Sequence, residues 1–214
     1  MNERRKPGVR GQGRTDREGW LKAGLDTLVS DGIDQVKVVA LAEKLDCARS
    51  SFYWYFKDRS ELLDALLAYW INSNTRAIVD AANQQAETIN FALGNLFANW
   101  LAGSDFDTKL DFAVRDWARR SGPVRRAVDV SDSTRIEAIR EMFHCHGYDP
   151  DEADVRARIV YFTQIGYATL DQQETWETRT SRAREYLYCM TGLEPTAEEI
   201  ASLVEKTRGN VQKR

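Results

Sequence analysis

The stretch from Val36 to Leu63, VKVVALAEKLDCARSSFYWYFKDRSELL, constrains this chain more than any other. Its spacing predicts two short helices, a tight turn between them, and the start of a third. Val39, Ala42 and Leu45 share one helical stripe, with Ala40 and Leu41 beside it. Asp46-Cys47 breaks the pattern, and Asp tolerates the left-handed backbone that a sharp turn requires. From Arg49 a second helix places Phe52 and Phe56 at i, i+4 on one inward face. Its other faces carry Arg49, Ser50, Ser51, Tyr53, Trp54 and Tyr55. Aromatics beside an Arg and two small hydroxyl residues suit a face that meets something charged and grooved. A helix-turn-helix sets such a second helix in the DNA major groove. Lys57 and Arg59 follow at the next helix start, where backbone N–H groups favour an anion. A DNA phosphate is the natural candidate.

Ser50 to Leu63, S-x-F-Y-W-Y-F-K-D-R-S-E-L-L, preceded by A-L-A-E-K-L at Ala40 to Leu45, resembles the DNA-binding domain of the tetracycline-repressor (TetR) family. The resemblance runs from Arg14 to about Leu67. It implies a regulator that binds DNA, with the Tyr at position 53 reaching a phosphate and its neighbours approaching bases. Three positions depart from the family pattern. Lys37 stands where a Ser or Thr cap is usual, Asp46 replaces the usual turn Gly, and Ala48 replaces the usual cap of the recognition helix. An Ala cap costs roughly 0.5–2 kcal/mol against Ser or Thr.

The net charge of −3 hides an asymmetry. Residues 1–60 hold 12 Lys+Arg against 9 Asp+Glu, a net of +3, whereas residues 61–214 hold 18 against 24, a net of −6. A basic first quarter on an acidic remainder suggests that one end meets nucleic acid. Cys47, Cys145 and Cys189 are odd in number and lack metal-type spacing, which fits a reducing cytoplasm. No apolar run approaches the roughly 18–20 residues of a membrane-spanning helix, and no membrane partner is expected.

In chain order, residues 1–13 read as a disordered basic arm, either a solubilising tail or an arm for phosphate and minor groove. Thr15-Asp16-Arg17-Glu18 fits a capping box, opening a helix to Ser30 with Leu21, Leu25 and Leu28 inward. Asp31-Gly32 ends it. The DNA-binding domain is placed at 14–60 and a larger helical body at 61–214. Leu63, Leu66, Leu67, Trp70 and Ile71 form the stripe of the joining helix, which continues to Ile78. Further helices span 88–101, 108–120 and about 121–145, with Val124, Val128, Ile136, Ile139 and Phe143 inward in the last. Then come 151–170, a polar connection through Gln172 to Thr180, a helix over 181–191 and a last one over about 195–208. No strand alternation occurs, so the fold expected is all-α: a three-helix helix-turn-helix domain plus a helical-bundle domain for ligand binding and dimerisation. Phe112 to Arg120, Met142 to Gly147 and Asp151 to Arg158 also resemble, more patchily, C-terminal domains of part of the TetR family.

Helix 151–170 carries two apolar stripes, Val155, Ile159, Phe162 and Gly166 on one side and Ala157, Tyr161, Ile165 and Ala168 on the other. One stripe serves the chain's own core. The second either lies within the same chain or faces a second copy, and a two-fold homodimer matches paired DNA half-sites. Trp100, Trp117, Phe143 and Tyr161 are core residues or the lining of an effector pocket. His144-Cys145-His146 is no metal site, because consecutive helix residues diverge by about 100°. No G-x-S-x-G, phosphate loop, G-x-G-x-x-G or H-E-x-x-H is present, so neither enzyme nor cofactor is expected. The reading is a DNA-binding regulator, a repressor released from a palindromic operator by a small molecule. A redox sensor acting through Cys47, or a helical-bundle enzyme, would be the alternatives.

Overall fold

The computed structural model describes residues 15–102, 106–170, 172 and 174–208. The basic arm at 1–13 lies outside the described residues. Every regular element among the described residues is helical. The chain divides into two compact units between Leu66 and Leu67, within the helix α3 (Arg59–Trp70).

In the first unit α1 spans Arg17–Asp31. Its cap is Asp16 rather than the expected Thr15, and the Asp16 carboxylate accepts from the Gly19 N–H at 2.8 Å. The buried face is Trp20, Ala23, Gly24, Thr27 and Leu28, with Leu21 and Leu25 only half-buried. Trp20, read as nothing in particular from the sequence, is wholly buried and meets Phe52 edge-on at 5.2 Å. A Cβ on Gly24 would stand 3.1 Å from a methyl of Leu66, so its missing side chain lets α3 approach closely.

A short 3₁₀ turn (Ile33–Gln35) leads to α2 (Val38–Lys44), which buries Leu41 and Ala42. The expected stripe is corrected here: Val39 is half exposed, Ala40 is exposed and Leu45 is only partly covered. Asp46 has φ +48, the left-handed conformation expected of it. Cys47 N–H bonds Ala42 C=O at 3.0 Å and Asp46 N–H bonds Glu43 C=O at 3.1 Å. This paired closure is the Schellman end of a helix, which satisfies two orphan carbonyls while reversing the chain. The recognition segment Arg49–Trp54 is 3₁₀ rather than α-helical. At its far end Asp58 accepts from Glu61 N–H at 3.0 Å, and Glu61 reaches back to Lys57 N–H at 2.7 Å. These bonds open α3.

The second unit continues α3 through a single π turn (Ile71–Thr75) into α4 (Arg76–Ala82). The expected stripe of α3 is corrected. Leu62, Leu66 and Trp70 are the fully buried residues of α3, Leu63 and Leu67 are partly covered and Ile71 is exposed. The extra residue of the π turn swings Asn74 and Thr75 inward, and Asn74 exchanges hydrogen bonds with the Asp107 backbone at 2.8 and 3.2 Å.

The body continues through α5 (Ile89–Ala102), α6 (Thr108–Ala118) and α7 (Gly122–Cys145) to α8 (Pro150–Thr169). It ends with α9 (Trp176–Thr180), α10 (Ala183–Thr191) and α11 (Ala197–Arg208). Ile89, Leu93, Leu96, Phe97 and Trp100 are buried as their spacing predicts, as are Val124, Val128, Ile139 and Phe143. α9 lies where only a polar connection was expected. Gly192 closes α10 at φ +75.

Charges also enter this core. Arg135 is wholly buried and Asp111 nearly so, and they pair at 2.9 Å. Asp111 also takes Arg115 at 2.7 Å and the Trp70 indole N–H at 2.9 Å. Arg115 forks onto Asp132, and the Tyr161 hydroxyl donates to the same carboxylate at 2.7 Å. Burial alone would raise the Asp111 carboxyl, but the Arg135 and Arg115 guanidiniums overcome it and hold it below the ordinary 3.8. Asp111→Ala would leave Arg135 buried beside neutral partners, and breaking such a pair costs about 3–5 kcal/mol. Urea unfolding at neutral pH should show that loss. A depressed folded pKa contributes stability above the unfolded value and loses it as pH falls through the folded one. The gap between wild type and variant should therefore shrink below about pH 3.8; a gap independent of pH would contradict the pairing.

Candidate functional site

The recognition segment is short, so each residue's direction follows from two anchors. Phe52 and Phe56 are buried and stack on one another at 5.4 Å, and Phe52 meets Trp20 edge-on within the first unit. With those two fixed inward, Tyr53 and Trp54 must point elsewhere. Trp54 is 70% exposed and Tyr53 49%. Arg49 and Ser50 are exposed, while Ser51 and Tyr55 are half-buried. Arg49 bonds the Tyr53 hydroxyl at 3.4 Å, one turn along. Ser51 donates its hydroxyl to the Ala48 carbonyl at 2.8 Å, a local brace that leaves the N–H groups at the start of the segment without a side-chain cap. Cys47 is half-buried and receives the Ser51 hydroxyl at 3.7 Å.

Lys57 is exposed and extends the same basic edge. Arg59 is placed differently. Its guanidinium donates to the Val36 carbonyl at 2.5 Å and to the Ile33 carbonyl at 2.9 Å. It ties the start of α3 to the turn before α2, and those donors are no longer free for a phosphate.

In the body, Val155, Ile159 and Phe162 are 56, 47 and 53% exposed, while Ala157 and Tyr161 of the other stripe are buried. Gly166 is half-buried. One face of α8 is thus left uncovered within the chain. Trp100, Trp117, Phe143 and Tyr161 are all buried. A cleft between α5, α8, α9, α10 and α11 is lined instead by Phe97, Gln164, Tyr167, Arg179, Tyr186 and Leu203 among others. Sequence reasoning missed this cleft because its residues come from five helices. It also missed Arg135, although Val128, Arg135, Ile139 and Met142 fall on one buried stripe of α7. The signal was an Arg at a core position. The His144 and His146 rings contact main-chain carbonyls, His146 on Met142 at 2.7 Å.

Residues 21–66 match the family described as bacterial regulatory proteins, tetR family. The tetracycline repressor protein class A from transposon 1721 of Escherichia coli is 32% identical over 75 residues. That match covers 35% of this chain and 34% of the repressor, so it spans about a third of the relative. A transcriptional regulator from Aquifex aeolicus VF5 has a similar fold, with a TM-score of 0.64 at 14% identity, covering 83% of this chain and 99% of its own. The regulator FadR from Bacillus subtilis, solved in complex with stearoyl-CoA, superposes with a TM-score of 0.53 at 16% identity over 91% of this chain and 99% of its own.

The anchors and the exposed aromatics predict separable variants. Phe52→Ala should destabilise the first unit by about 3–5 kcal/mol, the usual cost of deleting a buried aromatic. Trp54→Ala and Tyr53→Phe should melt within about 0.5 kcal/mol of wild type. Thermal unfolding followed by circular dichroism checks this, and a Trp54→Ala protein as unstable as Phe52→Ala would place Trp54 in the core. The helix-turn-helix geometry and the family match fall on the same residues: 21–66 are similar to the bacterial regulatory proteins of the tetR family.

Proposed function

We propose that this protein is a cytoplasmic DNA-binding transcriptional regulator, a repressor that holds a palindromic operator as a homodimer. A small molecule bound in the C-terminal body releases it. The observation that carries the reading is the outward pair Tyr53 and Trp54, held between two buried phenylalanines. Large aromatics at 49% and 70% exposure on a rigid turn are costly to leave in water unless a partner covers them. With Arg49, Ser50, Ser51, Tyr55 and Lys57 they form a face of small, aromatic and basic groups. Arg and Lys neutralise phosphates, and small polar side chains near the helix start reach base edges. Arg59 contributes indirectly, by bracing the turn that precedes α2 against α3.

The dimer rests on the uncovered stripe of α8. Val155, Ile159 and Phe162 stand on successive turns, and a two-fold partner would bury them against their own copies. Gly166 continues that line. Two copies would present two recognition segments, which is what a palindrome requires. Effector action follows if the ligand binds the DNA-incompetent state more tightly than the competent one. The family's fold admits ligands as different as the stearoyl-CoA held by FadR, so the fold alone does not choose one.

Operator binding measured across a salt series tests the reading. Each phosphate neutralised should add about −0.9 to the slope of log affinity on log salt. Trp54→Ala should cost about 1–3 kcal/mol of operator affinity without loss of fold. A flat salt response would contradict DNA binding. Phe162→Glu should convert a dimer into a monomer that holds the operator weakly, as judged by sedimentation and gel shift. A wild-type monomer at micromolar concentration would overturn the dimer.

A further inference from the structure

We infer that Arg49 is a base-reading residue of the recognition segment, and that the DNA half-site it fits carries a guanine whose O6 and N7 take its guanidinium in the major groove. The inference rests on the regulator reading and gives its DNA partner a chemical signature.

The segment spans Arg49–Trp54, with Ala48 before it and Tyr55 after it. Its inventory of base-reading groups is narrow. In the major groove Asn or Gln forks onto adenine, Asp or Glu accepts from cytosine, and Arg forks onto guanine. Residues 48–55, ARSSFYWY, hold no Asn, Gln, Asp or Glu. Phe52 is buried and faces inward. The hydroxyls of Ser50 and Ser51 suit more than one base, and Ser51 already donates to the Ala48 carbonyl at 2.8 Å. The rings of Tyr53 and Trp54 can cover a thymine methyl but offer no two-point contact. Arg49 is thus the one side chain in 48–55 with a planar fork of donors.

Arg49 also stands where a base reader should. It opens the segment, and in a helix-turn-helix the first residues of the recognition element meet the base edges. Its side chain is exposed yet held. One Nη2 N–H donates to the Tyr53 hydroxyl at 3.4 Å, and the Tyr53 ring packs edge-on against buried Phe52 at 5.4 Å. That bond occupies one donor and leaves the rest of the fork for a pair of acceptors. Guanine O6 and N7 are such a pair, side by side on one edge, and two-point recognition is what a guanidinium does and an ammonium does not. The neighbouring cations are placed differently. Arg59 is tied to the Val36 and Ile33 carbonyls. Lys57 lies past the far end of the segment and, as a flexible point charge, suits a phosphate.

The test takes the full-length protein and the duplex that it enriches from random DNA. One guanine should be required in each half-site. Replacing it by 7-deazaguanine removes N7 and keeps O6, and should weaken wild-type binding about fivefold or more. Replacing it by hypoxanthine keeps both acceptors and loses only the minor-groove amino group, and should leave affinity within about twofold. Arg49→Gln should transfer the preference at that base pair from guanine to adenine, because Gln forks onto adenine N6 and N7. Arg49→Ala should reduce the preference for guanine by roughly 5–150-fold, the worth of a bidentate pair. These readouts are ratios between sequences, and the modified duplexes test the wild type without any substitution, which covers a variant that fails to fold. Half-sites that require no guanine, or wild-type indifference to 7-deazaguanine, would overturn the assignment. So would folded Arg49 variants that weaken every sequence alike and lower the salt slope by about 1, which is the signature of a phosphate contact. Enrichment of no sequence would remove the regulator reading together with this assignment, whereas an inverted repeat bound without the guanine contact leaves the regulator reading standing.

Discussion

The ion pair between Arg135 and Asp111 sets the terms for the second unit. An isolated charge in a protein interior is prohibitively costly, so Arg135 can be wholly buried only if its partners arrive in place. Those partners come from different elements: Asp111 from α6, Thr75 from the π turn, Tyr161 from α8, and the Trp70 and Phe106 rings across the guanidinium faces. The π turn is part of the same solution. Its extra residue brings Thr75 to the guanidinium and Asn74 to the Asp107 backbone. Buried ionic groups often add little net stability, but they penalise every arrangement that separates them. Helices α6, α7 and α8 are thereby held in one register. A cleft bounded partly by α8 inherits that definition.

The first unit solves a smaller problem with apolar groups. The Schellman closure at Asp46 turns the chain sharply, and Trp20, Phe52 and Phe56 close over the interior. The recognition segment is only six residues of 3₁₀ helix. Its order comes from these anchors and from the Arg59 brace more than from helix propensity, which is consistent with a poor cap at Ala48. The consequence is a rigid presentation of Tyr53 and Trp54.

Much of this was legible in the sequence, for definite reasons. Phe52 and Phe56 at i, i+4 declared the inward face, and Asp46-Cys47 declared the turn. The apolar spacings of α5 and α7 named their buried residues almost without error. What was not legible depends on partners distant in the chain or on local register. Leu62, one helical turn before Leu66 and two before Trp70, is buried where Leu63 was expected. Val39 is half exposed because α2 turns Leu41 inward, and Val39 lies about 200° round the helix from it. Arg135 looks solvated until Asp111, 24 residues earlier, is brought beside it. Arg59 looks like a phosphate contact until the Val36 carbonyl claims it. The cleft is a property of five helices at once, which no single periodicity reveals.

In the proposed complex, two copies of one recognition segment read a symmetric DNA sequence. Selection from random duplex DNA by the full-length protein, followed by footprinting and measurement of the bound stoichiometry, tests it most directly. A two-fold dimer should enrich a single inverted repeat, protected on both half-sites by an even number of protein chains, with Trp54→Ala failing to enrich it. Enrichment of no sequence, or of a lone half-site bound by one chain, would exclude a dimer that reads a palindrome.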